Sequence, residues 1–312
     1  METNPGPWRW ALIDGPSTEQ VDPTAAAISD PEQLWQLFEQ QEPTVQRALS
    51  QAREGILELS ERMARTLAGE TGRVIGLGAG TSGRLLALDM AEWGPTFSIA
   101  TDRRLALIAG GDAALTAAQE GAEDDGQAAR DRIAEVATGA GDLVIGISAS
   151  GSAAWVREGL TAAAEASADT VFITCDPDAA IGSSLRIVLD TGAEPVAGST
   201  RLKAATATHR LLQRASTICA LRNGWIHRGR MVALTASNRK LRNRAVQIVM
   251  DLAMVDKTTA DESISSCHGD LRHAIATCWA GGDVNLAARR LTASGGHLGP
   301  LEREFGVSEP RK

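Results

Sequence analysis

The chain has 312 residues, 43% of them hydrophobic and 22% charged, with 39 acidic against 31 basic side chains and a formal net charge of −8. That length allows one large domain or two modest ones, and the apolar content is ample for a buried core. The acidic balance, without any sustained Lys/Arg run, argues against nucleic acid as the main partner, because neutralising many phosphates takes a basic surface.

An irregular opening containing Pro and Gly comes first. It lacks the basic start and apolar core of a signal peptide, and no apolar run in the chain is long enough to span a bilayer, so a cytoplasmic protein with no membrane partner is expected. From about Pro31 to Glu70, residues such as Leu34, Leu37, Val45, Leu49, Ile56, Leu59 and Met63 recur at near-helical spacing and predict an N-terminal helical arm over 1–70. From Arg73 onward, apolar strands at Val74 to Leu77, Leu105 to Ala109, Leu143 to Ile147, Val171 to Thr174 and Leu185 to Leu189 alternate with helical stretches. This is the grammar of an α/β domain over 71–236, a parallel sheet flanked by helices on both faces. Beyond Ser237 the chain reads as wholly helical, with breaks at Gly281-Gly282 and Gly295-Gly296, and predicts a small helical module over 237–312.

The first strand runs directly into Gly78-Ala79-Gly80-Thr81-Ser82-Gly83-Arg84, and a helix starts there. Glycines let the backbone turn sharply and approach a ligand, while the first helical N–H groups and two hydroxyls supply donors, so an anion is expected, most simply a phosphate. The same residues satisfy G-x-G-x-x-G with Asp102 downstream, which keeps a nicotinamide-binding unit in view. Against a dinucleotide stands a second hydroxyl-rich loop, Ser148-Ala149-Ser150-Gly151-Ser152, after another strand; two such loops at strand ends suit one sugar phosphate better. A third loop, Ala197-Gly198-Ser199-Thr200-Arg201-Leu202-Lys203, brings cations as well as hydroxyls. Cys175, Cys219, Cys267 and Cys278 have no disulfide-framework spacing, and Cys267, His268, His273 and Cys278 do not fall on one helical face as zinc ligands would.

The run from Gly78 to Gly83 continues through Leu88-Asp89-Met90-Ala91-Glu92 to Gly94-Pro95-Thr96-Phe97, and is followed by Leu107-Ile108-Ala109-Gly110-Gly111, Glu120 to Asp125, Ser148 to Gly151, and Gly198 to Ala204. In these motifs, spread over roughly residues 70 to 300, the chain resembles the N-acetylmuramic acid 6-phosphate etherase family. The resemblance implies a sugar-isomerase-type (SIS) sandwich, usually a homodimer, that splits the D-lactyl ether of a phosphosugar into N-acetylglucosamine 6-phosphate and D-lactate. Such chemistry proceeds by elimination and water addition, with one carboxylate as acid and another as base, and requires neither metal nor redox cofactor. By the family pattern the pair is Glu92 and Glu123; Glu92 is assigned as the acid and Glu123 as the base, an order that the sequence itself does not fix. The resemblance further implies Thr81, Ser82, Ser148 and Ser150 as phosphate ligands, with Gly83 and Gly151 for close backbone approach. Ser199, Arg201, Lys203 and Asn238 join them around the substrate, and Lys240 lies in the same stretch as Asn238.

If the helix beginning near Ser82 runs unbroken, Glu92 stands about 15 Å along it, farther than a hexose phosphate reaches. Either the helix stops early or Glu92 serves a neighbouring subunit's site. The chain also departs from the family: Trp93-Gly94 replaces Cys-Pro, Ser152-Ala153-Ala154 replaces Arg-Thr-Pro, Asp176-Pro177 replaces Asn-Pro, and Ala233 replaces an Asp. A lyase acting on another phosphosugar, and a non-catalytic sugar-phosphate sensor like the glucokinase regulatory protein, therefore stand as alternatives.

Overall fold

The computed structural model describes residues 17–236 and 238–307, so the opening of the helical arm lies largely outside the described residues. The described chain gathers into two compact units, each assembled from discontinuous segments.

The first unit takes in residues 17–59, 75–87 and 106–213. Its framework is a five-stranded sheet of β1 (Val74–Gly78), β2 (Arg104–Ile108), β3 (Leu143–Ile147), β4 (Asp169–Thr174) and β5 (Leu185–Val188), in the order β2-β1-β3-β4-β5. β3 pairs with β4 and β4 with β5 in parallel register, Ile145 opposite Val171 and Ile173 opposite Ile187. Every residue of β1 and β3 is buried, as expected of central strands covered on both faces; the edge strands β2 and β5 are only partly so. The helix α1 (Pro31–Gln51) begins on an Asp30 cap with Pro31 in its first turn, and buries Leu37, Val45, Ala48 and Leu49. α4 (Gly126–Glu135) and α5 (Ala154–Glu165) pack together, and Leu160 and Val156 of α5 lie over Gly146 of β3, where a side chain would leave no room.

The second unit takes in residues 60–74, 88–105 and 214–307. A hairpin of Ile226–His227 against Arg230–Met231 turns through Arg228 and Gly229, both at positive φ, the conformation a two-residue hairpin loop needs. It leads to α7 (Arg239–Ala253), α8 (Lys257–Ser266), α9 (Leu271–Trp279), α10 (Val284–Ala293) and α11 (Leu298–Glu304). Val249, Leu271, Ile275, Ala287, Leu298 and Leu301 form their shared core. Asn238, Asp256, Asp270 and Asp283 cap the first four, each side chain accepting a backbone N–H three residues on. Among the described residues no helix is long and apolar enough to cross a membrane.

Three helices belong to both units by sequence: α2 (Arg53–Ala68), which completes the N-terminal arm, α3 (Gly80–Phe97) and α6 (Lys203–Arg222).

Candidate active site

The strand order reverses between β1 and β3, so the crossovers leave in opposite directions and a crevice opens at the carboxyl ends of these two strands. Both hydroxyl-rich loops leave from those ends. A cavity of about 130 Å³ is lined there by Gly80, Thr81 and Ser82 of the first loop, Ser148, Ser150 and Ala153 of the second, Thr200 of the third, and Glu123. α3 starts at Gly80 with no acidic residue in its first turn, and α5 follows Ala153 with no side-chain cap. Two helix starts therefore bring unpaired N–H groups and positive dipole ends to a space already ringed with hydroxyls, which is what an anion requires.

The second loop is pinned from below. Ser148 N donates to Ile173 O at 3.1 Å, while Cys175 N and the Thr174 hydroxyl both donate to Ala149 O, at 2.9 and 3.2 Å. The hydroxyls of Ser150 and Ser152 lie 2.7 Å apart. The glycines are explained by protein rather than by ligand. A Cβ at Gly83 would sit 2.6 Å from Ile108 Cγ1 and 2.8 Å from Gly78 O, and one at Gly151, whose φ is +75°, would sit 2.2 Å from the Ala179 Cβ. Asp176, where the family has Asn, keeps the Asx turn by accepting from Asp178 N at 3.1 Å.

Glu123 stands in a short 3-10 turn, Ala122–Asp124, reached through left-handed Gly121. It is exposed, and it lines both the 130 Å³ cavity and an adjoining one of about 170 Å³ that includes Arg84, Gln119 and Glu120. The Arg84 guanidinium donates to Ala114 O at 2.8 Å and to Ala117 O at 3.4 Å, tying the connection that carries Glu123 to the helix that starts in the first loop.

The third loop contributes less than its charge suggests. Lys203 is buried, and its Nζ donates to Ala193 O at 2.6 Å. The start of α6 is already occupied by a carboxylate: fully buried Glu194 accepts from Lys203 N at 3.0 Å and Ala204 N at 2.9 Å. Burial pushes the Glu194 carboxyl up and the Lys203 ammonium down from their ordinary values. Ser199, Arg201 and Lys203 do not line the cavity; the neighbouring hydroxyl of Thr200 does. Thr200 escaped individual notice in the sequence although its loop was identified.

Glu92 and Asn238 belong to the second unit. α3 does not stop early: it runs unbroken from Gly80 to Phe97 with Pro95 inside it, so Glu92 is about 15 Å along the helix from Ser82. Glu92 is exposed, in a stripe with Leu88, Ala91 and Pro95 that is otherwise apolar. Trp93 is buried and donates from Nε1 to Asp89 at 2.9 Å. Gly94 leaves room for Arg104, whose Nη2 would lie 2.6 Å from a Cβ there and whose Nη1 donates to Met90 O. The Trp-Gly pair is thus an internal packing arrangement, and Trp155 is likewise buried. Asn238 caps α7, accepting from Leu241 N at 2.9 Å, and Lys240 is exposed. Asp102 sits in a turn ahead of β2 rather than at the carboxyl end of a strand where ligands gather, which removes the acid that a dinucleotide site needs. Among the described residues no three His, Cys, Asp or Glu side chains converge as a metal site.

Residues 57–164 match the model of the glucokinase regulatory protein N-terminal SIS domain. Over 285 residues the chain is 38% identical to an N-acetylmuramic acid 6-phosphate etherase of Synechococcus elongatus, covering 90% of this chain and 92% of the relative. An etherase of Gloeobacter violaceus is also 38% identical, covering 90% and 93%. A solved phosphoheptose isomerase from Neisseria gonorrhoeae aligns with 61% of this chain and 97% of its own length at 18% identity, with a TM-score of 0.42.

Proposed function

The chain belongs to the N-acetylmuramic acid 6-phosphate etherase family, and from that premise we propose that its glycine-loop cavity holds the 6-phosphate while Glu123 and Glu92 move the protons of ether cleavage. The enzyme is a carbon–oxygen lyase that releases D-lactate from N-acetylmuramic acid 6-phosphate and leaves N-acetylglucosamine 6-phosphate. The observation that carries the assignment of the site is the convergence of five loop hydroxyls, two helix starts and one carboxylate on a single small cavity.

The phosphate dianion takes the N–H and hydroxyl donors of Thr81, Ser82, Ser148 and Ser150, and Thr200 closes the ring. Held by that end, the open-chain sugar extends past Glu123. The aldehyde makes the C2 proton acidic; Glu123 removes it, the C3–O bond breaks, and the departing lactate oxygen takes a proton from Glu92. Water then adds across the new double bond at C3, and a proton returns to C2. The protein supplies position and proton transfer, the latter worth about 10²–10⁴ in rate for each group.

A space of about 130 Å³ accommodates the phosphate group but falls short of the several hundred Å³ usual for a whole ligand. We infer that a second copy of the chain completes the site and brings its own Glu92. The unbroken helix and the exposed apolar stripe around Glu92 support this reading, since such a stripe is expected to be covered. Where the family has Arg, Ser152 lies against Ser150, so the far end of the substrate loses a forked donor. A sensor that only bound the phosphate would gain nothing from a carboxylate beside the anion and would suffer its repulsion. Four free thiols, three of them buried, fit a reducing cytoplasm.

The test is exchange of the C2 proton in deuterated water. Wild type incorporates deuterium at C2 and releases lactate, Glu123→Gln does neither, and Glu92→Gln retains exchange while losing release. Exchange that persists in Glu123→Gln would remove it from the role of base.

A further inference from the structure

A cavity of about 630 Å³ lies within the second unit and shares no residue with the glycine-loop cavities. One wall is aromatic: Phe97, at the end of α3, stacks on Trp225 with ring centroids 6.1 Å apart and planes 29° apart. Another carries two guanidinium groups, those of Arg103 and Arg272, beside the ring of His268, with Asp270 the single carboxylate in the lining.

The cations differ in what they have left to give. Arg103 spends its guanidinium on backbone carbonyls of residues 66–72 at the end of α2, including Gly69 O at 2.8 Å and Glu70 O at 3.0 Å, and so stands as a fixed positive charge. Asp270 is engaged as the cap of α9, accepting from His273 N. Arg272 has a buried Nε with no hydrogen-bond partner, and it makes no ion pair among the described residues. In a chain with 39 acidic side chains, a guanidinium left unpaired on a cavity wall is costly unless something else binds it. Ser98 and His268, two non-glycine residues held at positive φ of 58° and 54°, border the same space.

We propose that this cavity binds a small organic oxyanion with a flat apolar body, its acidic group forked onto Arg272 and its ring against Phe97 and Trp225. A guanidinium presents two parallel donors matched to a carboxylate or phosphate, and stacked aromatics favour a flat apolar face. The dominant attraction is the oxyanion; the ring adds affinity and orientation.

Benzoate, benzamide and inorganic phosphate separate these parts when titrated against the full chain by calorimetry and tryptophan fluorescence. Benzoate is expected to bind saturably and quench, with benzamide and phosphate each at least tenfold weaker. Arg272→Met should weaken benzoate at least tenfold, while Ser82→Ala leaves it unchanged. Should Arg272→Met fold poorly in a thermal melt, Arg272→Lys keeps the charge without the fork and should still lose most of the affinity. Benzoate binding that is equal in wild type and both Arg272 variants, or no saturable binding of either oxyanion, would overturn the proposal.

Discussion

In the proposed site Glu123 serves the chemistry and Ser82 the binding, and kinetics separates the two roles. Glu123→Gln is expected to lower kcat by about 10²–10⁴ with KM little changed, whereas Ser82→Ala removes one phosphate donor and raises KM. Steady-state lactate release measures both. Gly83 carries a different constraint. Alanine there gains helix propensity of about 1 kcal/mol but drives a Cβ to within 2.8 Å of a backbone oxygen that cannot yield, so Gly83→Ala should destabilise by about 1–3 kcal/mol in denaturant unfolding. Burial pushes the thiols of Cys175 and Cys219 up to about 12, so neither is ionised near neutral pH. Alkylation should spare both in the native protein and reach them only on unfolding. The loop hydroxyls that line the cavity were legible from the sequence because glycine, serine and threonine at a strand end leave few structural alternatives, whereas Glu123 was reached only through the family resemblance. The burial of Lys203 was not legible, since a cation after a hydroxyl-rich loop looks the same whether it faces a ligand or the carbonyl of Ala193.

At the scale of elements, the pairing of α11 with the hairpin sets a pH dependence. His227 lies 3.4 Å from Glu302, and Arg228 lies 2.8 Å from the same carboxylate. Burial holds the imidazole below its ordinary value, with Glu302 pulling it back up and Arg228 pushing it further down. A depressed folded-state value means that the neutral ring is favoured in the fold: its contribution to stability is present above about pH 6.5 and is lost as pH falls through the lower folded value. The denaturant midpoint should therefore decline on acidification below about pH 6.5, less steeply in His227→Gln; an identical decline in both would remove His227 as a cause. The helical character of the C-terminal stretch was readable because the glycine pairs at 281–282 and 295–296 mark its breaks, while the individual starts, capped by Asp256, Asp270 and Asp283, came only with the structure. The hairpin between α6 and α7 gave no comparable signal, because strands of two residues show no periodicity.

For the molecule as a whole, the strand pattern was enough to anticipate a helix-flanked sheet, and the reversal in strand order then placed both loops at one crevice. The division into compact units was not legible: α3 and α6 each contribute to both, and local hydrophobic patterning carries no trace of such long-range grouping. The proposed sharing of the site between two copies predicts complementation. Mixing inactive Glu92→Gln with inactive Glu123→Gln should restore up to about one active site in two mixed-dimer sites, because one pairing unites both intact carboxylates. Activity that stays at zero after verified subunit exchange would place both glutamates in one chain. The measurement that bears most directly on the whole account is release of D-lactate from N-acetylmuramic acid 6-phosphate by the purified protein, with Glu92→Gln and Glu123→Gln beside it. Release by wild type and its loss in both variants is the predicted result; a wild-type protein that binds the phosphosugar yet releases no lactate would contradict it.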